Sequence, residues 1–366
     1  MKIALFVNNI DAVGGAEIAT RRLAEQFAQG EHQITLIGTQ SLRQWRIHPQ
    51  LIDYTKNIRS IRLPVWQRSR KTFRQMLLFH ARWLFPRLKC DILHLRGLSP
   101  ETLTLAAIAR RCGMKTICVP MASGAYGDVT TCGQSDQPPT FDWISALTVP
   151  LREEVIGWGF PSERTGVIPN GVDTRFFHSA AQSSTAPNVI FVGQFRPEKC
   201  VNLLLTAWKI VQMRMPQARL TLVGGGSHLP EYEQLADQLG LVVTFIPNTD
   251  ADHVLTQLQA SSVFVLPGIS EGMSNALLEA MAVGLAPVVA DTPANRAVIT
   301  PEINGICYPA ESAETLADQL TRLLTEPALR ERLGAVAHTT VEQHYTLASV
   351  ADQYLSLYAR LLGETP

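Results

Sequence analysis

The chain opens on a short apolar run, Lys2 to Val7, which predicts a buried strand. A glycine-rich turn follows at Gly14-Gly15-Ala16-Glu17, and then Ile18, Leu23, Ala24 and Phe27 recur at roughly helical spacing. The strand signal returns at Gln33 to Ile37, Asp91 to Leu95 and Lys115 to Val119, with an Ala-rich helix from about Glu101 to Cys112 between the last two. Ile144 to Val149 predicts a further strand and Arg152 to Trp158 a helix. Short strands alternating with helices imply βαβ units and a parallel sheet.

The alternation restarts after Val167-Ile168-Pro169-Asn170-Gly171-Val172-Asp173, a strand running into a Pro/Asn-Gly turn. Ser179 to Pro187 is polar and reads as exposed. The second series predicts strands at Asn188 to Val192, Ala218 to Val223, Val242 to Ile246, Val263 to Leu266 and Ala286 to Ala290. Its clearest helices are Asn202 to Met213 and Asn275 to Val283, and from Ser312 the pattern is helical almost to the end. The expectation is an α/β protein of two Rossmann-like, doubly wound domains, 1–169 and 170–347. In such folds ligands sit beyond the carboxyl ends of the strands, and a cleft between two such domains is the expected site.

Composition narrows the class. At 366 residues, with 46% hydrophobic and 17% charged, the chain can bury two large cores. Lys+Arg and Asp+Glu both number 32, so no global charge favours nucleic acid as a partner. The six cysteines form no Cys-x-x-Cys pair and lie beside no histidine cluster, which argues against a zinc site or a disulfide framework. No stretch approaches the roughly 18 apolar residues of a membrane span. A soluble, cytoplasmic protein is expected.

Four segments carry candidate chemistry. Pro267-Gly268-Ile269-Ser270-Glu271-Gly272-Met273-Ser274-Asn275 leaves a strand, loops and opens a helix. The unpaired N–H groups and positive dipole there suit phosphate. Glu271 ahead of the helix and Glu279 on it suit hydroxyl-rich groups either side; the ordinary alternative is an N-cap at Ser274 with exposed glutamates. Gly193-Gln194-Phe195-Arg196-Pro197-Glu198-Lys199 places two cations just past a strand, where they would neutralise a diphosphate, or form a solvated basic turn. Gly14-Gly15 and Gly224-Gly225-Gly226 allow close backbone approach, without the full dinucleotide fingerprint.

In their order and spacing these pieces, with Ile168-Pro169-Asn170-Gly171-Val172-Asp173 and Asn304-Gly305-Ile306, resemble the retaining glycosyltransferases of family 4 over nearly the whole chain. The resemblance implies the GT-B fold, two domains facing across a cleft, with a C-terminal helix from about 348 to 366 crossing back to the first. It implies sugar transfer from a nucleotide-sugar donor, UDP- or GDP-linked, to an acceptor hydroxyl, with no cofactor and no metal. Arg196 and Lys199 would bind the diphosphate. Glu271 would contact the donor sugar and Glu279 the ribose, and backbone at Met273, Ser274 and Asn275 would hold phosphate. Gly14, Gly15 and Gly193 would lie near the donor, and Pro247 and Asn248 by the base. The implied setting is surface glycan or glycolipid synthesis on a glycan or lipid-linked acceptor. A catalytically inactive scaffold and a GT-B nucleotide-sugar epimerase are the alternatives.

One departure falls on the acceptor side. Many family members carry a histidine after a strand like Lys115 to Val119, and here Pro120 to Asp128 contains none. Ser123 and Gly124 are candidate replacements, Asp128 a candidate to orient the acceptor. His94 either serves there or points into the sheet. The segment 62–89 mixes basic residues with Trp66, Phe73, Leu77, Trp83 and Phe85, which suits an anionic membrane surface or an ordinary helix with a solvated face.

Overall fold

The computed structural model describes residues 1–8, 15–41, 57–65, 69–132, 140–179, 187–247 and 249–364. The chain divides into two units, one of Met1–Asn170 with Leu347–Pro366 and one of Gly171–Thr346. Strands and helices are numbered in chain order, apart from short helical turns.

The first unit holds a seven-stranded parallel sheet in the order β3-β2-β1-β4-β5-β6-β7. Its strands are β1 (Lys2–Val7), β2 (Gln33–Ser41), β3 (Ile58–Val65), β4 (Ile92–Arg96), β5 (Lys115–Val119), β6 (Trp143–Ala146) and β7 (Thr165–Val167). Its helices are α1 (Gly15–Ala28), α2 (Arg70–Leu88), α3 (Pro100–Arg111) and α4 (Val149–Gly157). The central strands are buried because helices cover both faces: β4 is buried at all five positions.

The structure departs from the sequence reading where local chemistry outweighs periodicity. The strand expected to Val149 stops at Ala146, because the Thr148 side chain accepts from the Leu151 N–H and Pro150 favours a helical first turn. The strand expected from Val167 is only β7, and Val172 instead bridges to Thr346. β3 has no counterpart in the sequence reading. It is an edge strand whose arginines and Pro64 blur the alternation, as such strands allow. Segment 62–89 is therefore two elements, the end of β3 and then α2, capped by Ser69. Trp66 and Arg68 lie outside the described residues.

The second unit holds a six-stranded parallel sheet, β10-β9-β8-β11-β12-β13. It contains β8 (Asn188–Val192), β9 (Arg219–Val223), β10 (Val243–Ile246), β11 (Val263–Leu266), β12 (Ala286–Ala290) and β13 (Ile306–Tyr308). The three-residue β13 is too short to leave a periodic signal. The helices are α5 (Val201–Arg214), α6 (Leu229–Leu239), α7 (Ala251–Gln259), α8 (Asn275–Val283), α9 (Ala313–Thr325) and α10 (Pro327–His344). The helical tail is thus three helices, α9, α10 and α11 (Leu347–Leu362), with Pro327 starting the second. α10 meets α8 where a Cβ on Gly334 would lie 2.2 Å from the Gly284 carbonyl oxygen, so both helices need the bare glycine. Among the described residues no helix is long and apolar enough to cross a membrane.

α11 belongs to the first unit and packs on α1 and the sheet. Its Tyr354 and Tyr358 are buried against β4, with the Tyr358 hydroxyl 2.6 Å from His94 Nδ1 and the Tyr354 ring edge-on to the imidazole. His94 is fully buried. This corrects its candidacy on the acceptor side: it is a core histidine that receives the C-terminal helix. Two residues on, buried Arg96 donates from Nη2 to Asn170 Oδ1 at 2.7 Å.

Burial, with the Arg96 charge adding, holds the His94 imidazole down at about 3 from its ordinary 6.5. The unfolded chain takes up a proton as pH falls below 6.5, whereas the folded chain does not until about 3. His94 therefore removes stability on acidification through that window, at about 1.4 kcal/mol per pH unit. We expect His94→Leu to flatten the pH dependence of the urea midpoint between about pH 4.5 and 6.5 by that slope. Equal slopes in wild type and variant would show that the ring titrates normally in the fold.

Candidate functional site

In a doubly wound sheet the loops on either side of the point where strand order reverses diverge and leave a crevice at the carboxyl ends. In the second unit the chain lays down β8, β9 and β10 in one direction and returns to the other side of β8 for β11. The loops flanking that reversal are 193–200 and 267–274. They hold Arg196, Lys199 and Glu271.

The first loop is held by the glycine run after β9. Gly193 N–H donates to Val223 O at 3.0 Å and Phe195 N–H to Gly225 O at 2.8 Å. Gly224 sits at φ 141°, and a Cβ there would come within 1.9 Å of the Gly193 oxygen. The triple glycine is thus more than a tight turn: it lets one loop lie directly on another. Phe195 is fully buried, stacked on Phe191 and edge-on to Tyr232. That anchor leaves Arg196 in solvent, 57% exposed and 3.9 Å from the Glu198 carboxylate, an ion pair worth little at such exposure.

Lys199 behaves differently. Its ammonium donates to Glu271 Oε1 across the point of reversal. The two side chains are only 21% and 9% exposed. The main chains join there as well, Ile269 N–H donating to Glu198 O at 3.1 Å. A Cβ at Gly268 would crowd both Glu198 O and Glu271 Oε1 at 3.3 Å. Cys200, directly after Lys199, takes a left-handed φ of 51° without being glycine, local strain of the kind concentrated at functional sites. Neither Cys200 nor the Ile269 amide was singled out from the sequence. Strain and a main-chain contact leave no pattern in residue types.

α8 begins at the mouth of this crevice. Ser274 Oγ accepts from Leu277 N–H at 3.3 Å, so Ser274 is an N-cap. The other half of that alternative fails for Glu271, which is 8% exposed. Met273 and Ser274 are buried and Glu279 is half-buried on α8. The structure therefore gathers Gly193, Arg196, Lys199, Glu271, Met273, Ser274 and Asn275 onto two adjacent loops and one helix start. Pro247 is exposed just past β10, the next strand but one from β8, while Asn248 lies outside the described residues.

In the first unit the reversal lies between β1 and β4. Gly15 opens α1 there and is exposed; Gly14 lies outside the described residues. Asp128 Oδ2 accepts from the N–H groups of Leu98 and Met121, both at 2.8 Å. Burial pushes its carboxyl up while these two bonds hold it down, and burial dominates. That oxygen braces the loop after β4 against the loop after β5. Ser123 is half-buried and Gly124 exposed at φ 74° on the braced loop. Among the described residues no group of three His, Cys, Asp or Glu could hold a metal ion.

Comparison with known proteins gives this arrangement a family. Residues 13–176 match the family described as Glycosyltransferase Family 4, and residues 173–339 that described as Glycosyl transferases group 1. The chain is 32% identical over 209 residues to the phosphatidyl-myo-inositol mannosyltransferase of Mycobacterium tuberculosis, a match covering 54% of each chain. The chain thus spans about half the length of that relative. Two solved structures share the fold: sucrose-phosphate synthase from Thermosynechococcus elongatus and Anabaena Alr3699/HepE in complex with UDP-glucose. The synthase has a TM-score of 0.82 at 21% identity, covering 99% of both chains. Alr3699/HepE has a TM-score of 0.78 at 15% identity, covering 98% of this chain and 100% of the other.

Proposed function

The chain belongs to glycosyltransferase family 4, with two Rossmann-like units of the GT-B type, and from that premise we propose that it moves a sugar from a nucleotide-sugar donor to an acceptor hydroxyl, retaining the anomeric configuration. The observation that carries this reading is the Lys199–Glu271 pair clasped across the reversal point between β8 and β11. An exposed basic turn would need no buried carboxylate. A donor site needs a cation for the departing diphosphate and an acceptor for sugar hydroxyls within reach of each other.

In this reading the diphosphate lies between the start of α8 and the loop 193–200. Lys199 exchanges part of its bond with Glu271 for phosphate oxygen, and Arg196, held only by a weak exposed pair with Glu198, closes on the same charge. Both act most strongly as the leaving group gains charge, which is where electrostatic stabilisation lowers a barrier. Glu271, relieved of part of its partner, accepts from a donor-sugar hydroxyl, and Glu279 accepts from the ribose. The UDP-glucose bound to Alr3699/HepE supports a nucleoside-diphosphate sugar as donor. The name of the mycobacterial relative supports a lipid-linked acceptor.

A membrane-surface position fits the same reading. The zero net charge hides a division: 22 Lys/Arg against 15 Asp/Glu in the first unit, and 10 against 17 in the second. Between Asp53 and Asp91 there are ten Lys/Arg and no acidic residue. α2 buries Leu77, Ala81, Leu84 and Phe85, and turns Phe79 and Trp83 outward, 71% and 59% exposed and four residues apart. Arg87 lies 4.4 Å over the Trp83 ring. Phe79 was not among the residues singled out from the sequence; only the packing shows which aromatics face solvent. Cations with outward aromatics suit the headgroup layer of an anionic bilayer, which supports the reading of a peripheral, cytoplasmic enzyme of surface glycan or glycolipid synthesis.

Lys199→Ala is expected to lower kcat for sugar transfer by about 10²–10³, and Glu279→Ala mainly to raise the donor KM. Unchanged kinetics in both variants would remove the donor-site assignment. In vesicle sedimentation, the protein is expected to pellet with phosphatidylglycerol-containing vesicles and not with phosphatidylcholine alone. Phe79→Ser/Trp83→Ser should weaken pelleting while sparing transfer to a soluble acceptor. Equal pelleting with both lipids, or none, would contradict the membrane assignment.

A further inference from the structure

A second cavity, of about 400 Å³, opens in the second unit among Ser179, Ser261, Ser262, Leu285, Arg330 and His338. Ser261 and Ser262 lead into β11, and Leu285 leads into β12. The cavity is therefore at the amino ends of the strands, the opposite end of the sheet from the crevice that holds Lys199 and Glu271. Its volume lies in the range of sites that take small molecules.

Its polar groups are unevenly committed. Arg330 is 8% exposed, and among the described residues no carboxylate lies within ion-pair distance of it. Its one bond runs from Nη1 to Leu323 O, at 3.0 Å, in the last turn of α9. That carbonyl end offsets part of the buried charge. None of its nitrogens is buried without a partner, and the residue lines the cavity. His338 Nδ1 lies 2.7 Å from Ala282 O. A carbonyl only accepts, so Nδ1 carries the proton and Nε2 is the nitrogen left for the cavity.

The hydroxyls are the complement. Ser179 donates to Val283 O, Ser261 to Gln257 O, Ser262 to Asn188 O and Thr339 to Ala335 O. Each hydroxyl has spent its single proton on the backbone and has only lone pairs left. Glu331, exposed at the mouth, also only accepts. A ligand that satisfies this wall must bring an anionic group for Arg330 and hydroxyl donors of its own for the serines. We propose that the cavity is a binding site for a small phosphorylated polyol, a sugar phosphate, separate from the donor crevice. The phosphate takes the guanidinium through charge-assisted bonds. The polyol hydroxyls donate to Ser179, Ser261, Ser262 and His338 Nε2. This inference does not rest on the transfer reaction.

Isothermal titration with glucose 6-phosphate, inorganic phosphate and glucose tests it on the full chain. Ala335 is exposed on the cavity wall, so Ala335→Glu adds a carboxylate there without touching the core. His338→Asn keeps a donor for Ala282 O and removes Nε2. Glucose 6-phosphate should bind more tightly than phosphate, with glucose silent. Ala335→Glu should weaken it by at least about tenfold through like-charge repulsion, His338→Asn should weaken it to a lesser degree, and Lys199→Ala should leave it unchanged. Three results would overturn the proposal: no binding of glucose 6-phosphate at about 10 mM, binding lost in Lys199→Ala but intact in Ala335→Glu, or glucose binding as well as its phosphate. Melting curves of both cavity variants separate loss of binding from loss of fold, and His338→Asn alone suffices if Ala335→Glu does not fold.

Discussion

The second unit is organised around one ion pair, Lys199 with Glu271, across the line where its strand order reverses. Two loops leaving neighbouring parallel strands have no reason to meet, since each follows its own crossover. Here they are joined by that pair and by the Ile269–Glu198 main-chain bond, while Gly268 keeps the gap between them free of a Cβ. Breaking a pair this buried strands a charge in low dielectric, a larger penalty than the pair's own net worth. The clasp therefore holds the crevice in one arrangement until a ligand offers both partners something better. In the proposed donor complex a diphosphate draws on Lys199 and a polyhydroxyl ring on Glu271.

The first unit depends on a comparable commitment at the same sheet position. β4, the strand beside its reversal point, carries His94 and Arg96 on one buried face. Both are engaged by segments that close the unit late in sequence: His94 by Tyr358 of α11 and Arg96 by Asn170. Polar groups in such a layer specify which segment docks, since an apolar helix in place of α11 would leave the imidazole nitrogen unmet. Asp128 serves the neighbouring loops similarly, one carboxylate oxygen bracing two main-chain amides.

Much of this was legible in residue order. Uniformly apolar strands such as Val263 to Leu266 and capped helices such as Asn275 to Val283 are readable because burial pattern and cap chemistry are local there. Edge strand β3 was not, because arginines at an edge are indistinguishable from arginines on a helix until a partner strand is known. The candidate donor-side residues are legible one by one, but the bond between Lys199 and Glu271 is not; 72 residues separate them, and only sheet topology brings them together. His94 shows the converse. Its chemistry suited an acceptor site, and burial against Tyr354 and Tyr358 claims it for the core.

The clasped crevice is the proposed binding site of the nucleotide-sugar. Hydrogen–deuterium exchange of the full chain with and without UDP and GDP tests that directly. One nucleotide is expected to slow exchange in residues 193–200 and 267–276, with little change around Arg330 and His338. Protection confined to other parts of the chain, or none with a nucleotide shown to bind, would contradict it.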